Sequence, residues 1–195
     1  MKKLCGYLFV ALATLAATGC IDNDIPYPIV KLDILTLRAE GEKAPATINT
    51  SACTVDFELE EIIDIRKVEI KDVTFTEGAE ADVQFPGRFD MRNALYVNLT
   101  KYQTFEWTIR ATQNIERYFR VEGQIGESEI DAVSHIATAY VPMDYDMNNV
   151  RITAAKFGPK DITTYYPDPL SFTSFDGTVH HTMVSYHGDI EEMWT

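Results

Sequence analysis

The sequence predicts an all-β protein built as two tandem immunoglobulin-like β-sandwich domains, and three observations predict it. Short segments alternate apolar and polar residues with a period of two, turn signals separate them, and one series of such segments occurs twice in the chain. No segment carries a long amphipathic helical stripe.

The repeat organises the rest. "INTSACTVDFELEEIIDIRKVEIKDVTF" (48–75) aligns without a gap on "IDAVSHIATAYVPMDYDMNNVRITAAKF" (130–157) at a constant spacing of 82 residues. Ile48 meets Ile130, Asp64 meets Asp146, Val68 meets Val150, Ile70 meets Ile152 and Phe75 meets Phe157. The same spacing carries Glu40-Gly41 onto Glu122-Gly123. After small length changes "FEWT" (105–108) falls on "EMWT" (192–195), so Trp107 meets Trp194. The two sandwiches are expected over residues 29–113 and 114–195.

In the first copy, "TVDFELE" (54–60) turns Val55, Phe57 and Leu59 inward and Asp56, Glu58 and Glu60 outward. "VEIKDVTF" (68–75), "ALYVNL" (94–99) and "EWTIRA" (106–111) continue with β-branched and aromatic residues between turns. Cys53 extends the first alternation, which predicts a buried thiol. The second copy offers "IATAYV" (136–141), "VRITAAKF" (150–157) and "TVHHTMVSY" (178–186) as strands. The short link "ATQNIERY" (111–118) predicts sandwiches that sit end to end, and both tryptophans are expected in the cores. In copy one the last strand runs past Trp107 through Ile109, Arg110 and Ala111; copy two has only Thr195 after its tryptophan. The second sandwich is therefore expected to be incomplete at its C-terminus. A missing C-terminal domain, or a strand from another chain, would complete it.

Ahead of the repeat, Lys2 and Lys3 precede an apolar stretch, Leu4–Ala17, too short for a membrane span of about 20 residues. Ala17, Thr18 and Gly19 lead into Cys20 and resemble a bacterial lipobox. Residues 1–19 then form a lipoprotein signal peptide, Cys20 is the lipid attachment site, and 20–28 is a tether stiffened by Pro26 and Pro28. Each buried methylene of such an anchor contributes about 0.8 kcal/mol, and more than one chain anchors durably. The acidic Asp22, Asn23 and Asp24 resemble the surface-export signal of Bacteroidetes lipoproteins. The expected location is the outer membrane, lipid-anchored and facing outward.

With Cys5 in the signal and Cys20 lipidated, Cys53 has no intramolecular partner, so folding rests on a packed core. Removing the signal takes away two lysines and no acid, moving the formal charge from −13 to −15. Such a surface repels nucleic acid and anionic membranes.

Chemistry is sparse. "DYDMNN" (144–149) opens like a calcium loop but has Asn149 at the sixth place and Ala155 at the twelfth, so a turn is expected. His180, His181 and His187 are close in sequence, but on a strand His180 and His181 face opposite ways. Glu58 and Glu60 share a face at roughly 7 Å, yet that face is predicted to be solvated and thus unable to raise a catalytic pKa. No metal, cofactor or catalytic residue is expected. The remaining candidates are Tyr165 and Tyr166 in "TTYYPDPLSF" (163–172): either one tyrosine packs inward and the other covers a turn, or rigid exposed rings stack on a sugar or anchor a protein partner.

The order "CIDNDIPYP", "YQTFEWTI" and "IERYFRVEGQIGESEIDA" is similar to the amino-terminal region of Bacteroidetes surface lipoproteins that carry a domain named for carbohydrate metabolism. The resemblance implies immunoglobulin-like repeats ahead of a larger C-terminal β-domain. The functional expectation is a non-enzymatic, lipid-anchored stalk or interaction module; the alternative is a carbohydrate-binding accessory in glycan capture.

Overall fold

A computed structural model describes residues 30–195, so the signal segment and Cys20 lie outside the described residues. The first half contains β1 (Ile34–Ala39), β2 (Thr47–Asn49), β3 (Thr54–Leu59), β4 (Val68–Phe75), β5 (Glu80–Ala81), β6 (Gly87–Phe89), β7 (Leu95–Thr100) and β8 (Thr104–Gln113). One sheet has the order β2-β3-β8-β7-β5 and the other β1-β4-β6. Neighbours are antiparallel except β3 and β8, which pair in parallel from Thr54↔Thr108 to Leu59↔Gln113. Val55, Phe57, Leu59, Trp107 and Ile109 from one sheet pack on Ile34, Leu37, Val68 and Ile70 from the other in a single core. The period-two alternation read from the sequence is the reason: each strand has one apolar face, and two sheets must bury theirs against each other.

The second half contains β9 (Tyr118–Val121), β10 (Glu129–Asp131), β11 (Ile136–Thr138), β12 (Ile152–Lys156), β13 (Thr164–Tyr166), β14 (Thr182–Tyr186) and β15 (Ile190–Trp194). It reproduces the first half at the predicted spacing. Ala39↔Ile70 and Arg38↔Asp72 between β1 and β4 become Val121↔Ile152 and Arg120↔Ala154 between β9 and β12, with the same register shift. Ile48↔Val55 becomes Ile130↔Ala137. The chain is thus all-β in its described residues, apart from two short 3₁₀ turns at Ile65–Lys67 and Pro169–Ser171. None of its described helices is long and apolar enough to cross a membrane.

The turns repeat too, which explains the polar identities in the alignment. Asn49 Oδ1 accepts the N–H groups of Ser51 and Ala52, and Asp131 Oδ1 those of Val133 and Ser134. Asp64 Oδ1 accepts from Arg66 N and Asp146 Oδ1 from Asn148 N, each at 3.0 Å. Asp146 is therefore a turn-capping residue, as the defective calcium pattern predicts. Gly41 and Gly123 both have positive φ, and a Cβ on Gly41 would lie 2.3 Å from Ile63.

Two expectations change. Cys53 is half-buried and sits ahead of β3 at φ 52°, with Sγ 3.8 Å from Thr50 O, because the turn into the strand occupies the place the alternation reserved for it. Its counterpart His135 has φ 55°. The strand expected over 136–141 pairs only at Ile136–Thr138, since β10 is its one strand partner among the described residues.

The halves meet within one compact unit, Leu32–Thr195. Arg66, held by Asp64, also grips Asp189 of the β14–β15 turn through two bonds of 2.9 and 2.6 Å. Lys156, 9% exposed, places Nζ 2.7 Å from Glu61 Oε2, and Lys160 N donates to Glu61 Oε1. Hydrogen bonds from Arg66, chiefly through its guanidinium, hold the Asp64 carboxyl at a pKa of about 2 against the opposing effect of burial.

Candidate functional site

The polar constellations raised by the sequence assemble no reaction centre. His180 stacks on Phe172 at 4.3 Å, meets Phe175 edge-on, and donates through Nε2 to Ser174 O. His181 Nδ1 pairs with Thr195 Oγ1, and His187 lies in the β14–β15 turn. No group of three metal-ligating side chains converges among the described residues. Glu58 is exposed and paired with Lys43 at 2.6 Å, on the solvated face predicted for it.

Tyr165 and Tyr166 are separated by the pleat of β13. Tyr165 turns inward: its ring meets Phe157 edge-on, and its hydroxyl accepts the Phe157 N–H at 3.1 Å. It is thereby committed to packing and does not share a stacking platform with its neighbour. Tyr166 is 83% exposed, and its ring is open to a ligand. Trp107 and Trp194, at 0% and 1% exposure, are core residues as expected.

The site that sequence reading missed is an apolar groove of about 280 Å³ in the second half. It is lined by Phe119, Val121, Ile152 and Phe157, by residues 136–139 and Val141, and by Trp194, Thr195 and Phe172. Trp194 is fixed there by stacking on Phe157 at 4.8 Å and by donating from Nε1 to Glu192 Oε2. The same Glu192 accepts from Tyr186; burial first, and then this carboxylate, push the Tyr186 pKa up.

The repeat gives the groove a counterpart in the first half. In the first half, the equivalent space is filled by β8 beyond its tryptophan, where Ile109 is fully buried opposite Val55. In the second half, Thr195 takes the position of Thr108. Thr195 N donates to His135 O as Thr108 N does to Cys53 O, and Ala137 N donates to Thr195 O. No described strand continues that parallel ladder beside 137–141. The second core accordingly divides into two clusters, around Phe157 and Trp194 on one side and Val121 and Ile152 on the other.

No family model matches the chain, and neither does any curated protein. Among solved structures the chain is similar to a protein from Bacteroides thetaiotaomicron described as a glycoside hydrolase, at 16% identity and a TM-score of 0.41. The match covers 54% of this chain and 33% of that one, so this chain spans about a third of that protein's length.

Proposed function

We propose that this is a non-enzymatic, lipid-anchored surface protein of the Bacteroidetes lipoprotein type, whose tandem immunoglobulin-like sandwiches form a stalk and interaction module. The observation that carries the reading is the order of parts: a lipobox cysteine and acidic tether lead directly into two copies of one sandwich. The copies are braced by Arg66–Asp189 and Lys156–Glu61. Two ion-paired contacts across a short link suit a spacer that holds a fixed direction from the membrane. Its membrane partner is the bilayer entered by the lipid on Cys20, and its acidity disfavours nucleic acid. Cys20→Ala is expected to abolish labelled-palmitate incorporation and to move the protein from the membrane to the soluble fraction. Undiminished labelling with membrane retention would remove the anchor from this reading.

The 83% exposure of Tyr166 favours a second reading, in which the module also captures glycans. An exposed tyrosine ring presents an apolar face to a sugar. On a glycan array the full chain would then bind a defined subset, and Tyr166→Ala would weaken that binding roughly 3- to 10-fold with unchanged melting temperature. Absence of binding across a broad array would end this second reading.

A further inference from the structure

We propose that a polar cleft along β9 binds one singly charged oxyanion group, a carboxylate or a sulfate ester, carried by an acidic saccharide. The inference gives the glycan-capture reading a substrate class and rests on that reading. The cleft, about 210 Å³, is lined by Arg117, Tyr118, Arg120, Gln124 and two glutamates, among others. Clefts for drug-sized molecules run to about 300–1,000 Å³, so this one suits a single charged substituent of a larger ligand. Charge singles it out. Acids outnumber lysines and arginines 30 to 17 in the chain, and most arginines are neutralised by them. Arg38, Arg66, Arg88, Arg92, Arg110 and Arg151 each pair with a carboxylate. Among the described residues, the arginines without a carboxylate partner are Arg117 and Arg120, and both line this cleft.

The repeat shows how Arg120 comes to stand without an acid. Its counterpart in the first half, Arg38, pairs with Glu42, whose Oε2 also accepts the Ala39 N–H. At the repeat spacing of 82 residues, Gln124 takes the place of Glu42. Gln124 Oε1 accepts the Val121 N–H at 2.7 Å, so the turn keeps its brace while the charge is gone. Gln124 Nε2 donates one hydrogen to Gly126 O, and its second hydrogen remains for a ligand. The Arg120 guanidinium lies over the Tyr118 ring at 5.2 Å, and Arg117 is fixed by its Nε bond to Phe157 O at 2.6 Å. A guanidinium positioned in this way presents its outer N–H groups as a fork that matches the paired oxygens of an oxyanion. The glutamates of the cleft, Glu116 and Glu127, oppose a second negative charge. A phosphate monoester, with a charge of about −1.5 to −2 at neutral pH, is thereby disfavoured. A uronate carboxylate and a sulfate ester each carry one charge, and these are the groups the cleft selects.

The test titrates the full chain in non-ionic detergent with glucuronate, glucose 6-sulfate and glucose, following side-chain N–H resonances by NMR. The Nε–H signals of Arg117 and Arg120 and the Gln124 amide are expected to shift with at least one of the charged sugars and not with glucose. Response to glucuronate alone assigns a carboxylate, response to the sulfate alone a sulfate ester, and response to both the shared charge. Arg120→Gln should weaken binding by roughly tenfold or more, the size of one lost charge-assisted bond. Gln124→Glu should do the same at unchanged melting temperature, because it rebuilds the ion pair that the first half already carries. Native affinity in Gln124→Glu would overturn the proposal, as would equal shifts with glucose. Inorganic sulfate acting as strongly as either charged sugar would overturn the saccharide as substrate class. Retention of neutral glycans on the array through Tyr166, with no shift at these three residues, would overturn this inference and leave the glycan-capture reading standing.

Discussion

Trp107→Ala is expected to destabilise the protein by about 3–5 kcal/mol, the range for removing a large aromatic side chain from a closed core. Trp107 is 0% exposed and lies between the two sheets of the first half, so its loss opens a cavity that neighbouring strands cannot collapse without breaking their ladders. The ring also closes the sandwich by a polar bond. Its Nε1 donates to the buried Leu32 O at 2.9 Å, tying the segment before β1 to β8. Trp107→Phe separates the two contributions: it keeps most of the volume and orphans the carbonyl, which should cost about 1–3 kcal/mol. Urea unfolding of both variants, with midpoints compared at a common slope, measures the difference. Equal losses would mean that the hydrogen bond, not the cavity, dominates; no loss would contradict the packing described for this core.

The two tryptophans also mark how much was legible in the sequence. Their equivalence, and the strands that carry them, follow from alternation and repeat spacing, because one-sided burial in a sandwich writes itself into every second residue. The turn residues were legible for the same reason: Asp64 and Asp146 recur because each caps the same turn. What lay beyond the sequence depends on partners distant along the chain. The pleat separates Tyr165 from Tyr166, but only Phe157 decides which one turns inward. The groove was not legible, because it depends on Ala137, Ala139 and Val141 together, residues that read locally as an ordinary strand. Lys156 was the least legible. In "AAKF" it looks like a solvated strand position, and its burial follows from an acid 95 residues earlier that the first half presents.

That lysine supports the second large prediction. Its ammonium is buried at the junction, 2.7 Å from Glu61 Oε2 and 2.8 Å from Glu116 O. Removing one partner of a buried pair leaves the other charge poorly compensated, which costs about 3–5 kcal/mol. Lys156→Met is expected at the low end, about 3 kcal/mol, because the Glu61 side chain retains 21% exposure and the Lys160 N–H. Glu61→Gln should cost more, since the lysine it strands is the more buried of the two, at 11% side-chain exposure. The double variant should recover much of the loss, because replacing both charges removes the desolvation cost together with the attraction. A urea double-mutant cycle reads the coupling, and additive losses would show that the two residues do not act as a pair. The bridge also has a pH signature. Burial opposes ionisation of Glu61, but the Lys156 ammonium and the Lys160 N–H outweigh it and lower the pKa from 4.5. A lowered folded pKa means that the stabilisation is fully present above the unfolded value and is lost as pH falls through the folded one. The stability gap between the native chain and Lys156→Met should therefore be constant near neutrality and narrow below about pH 4. A gap that widens on acidification would mean that the junction is held by packing around the lysine stem and not by its charge.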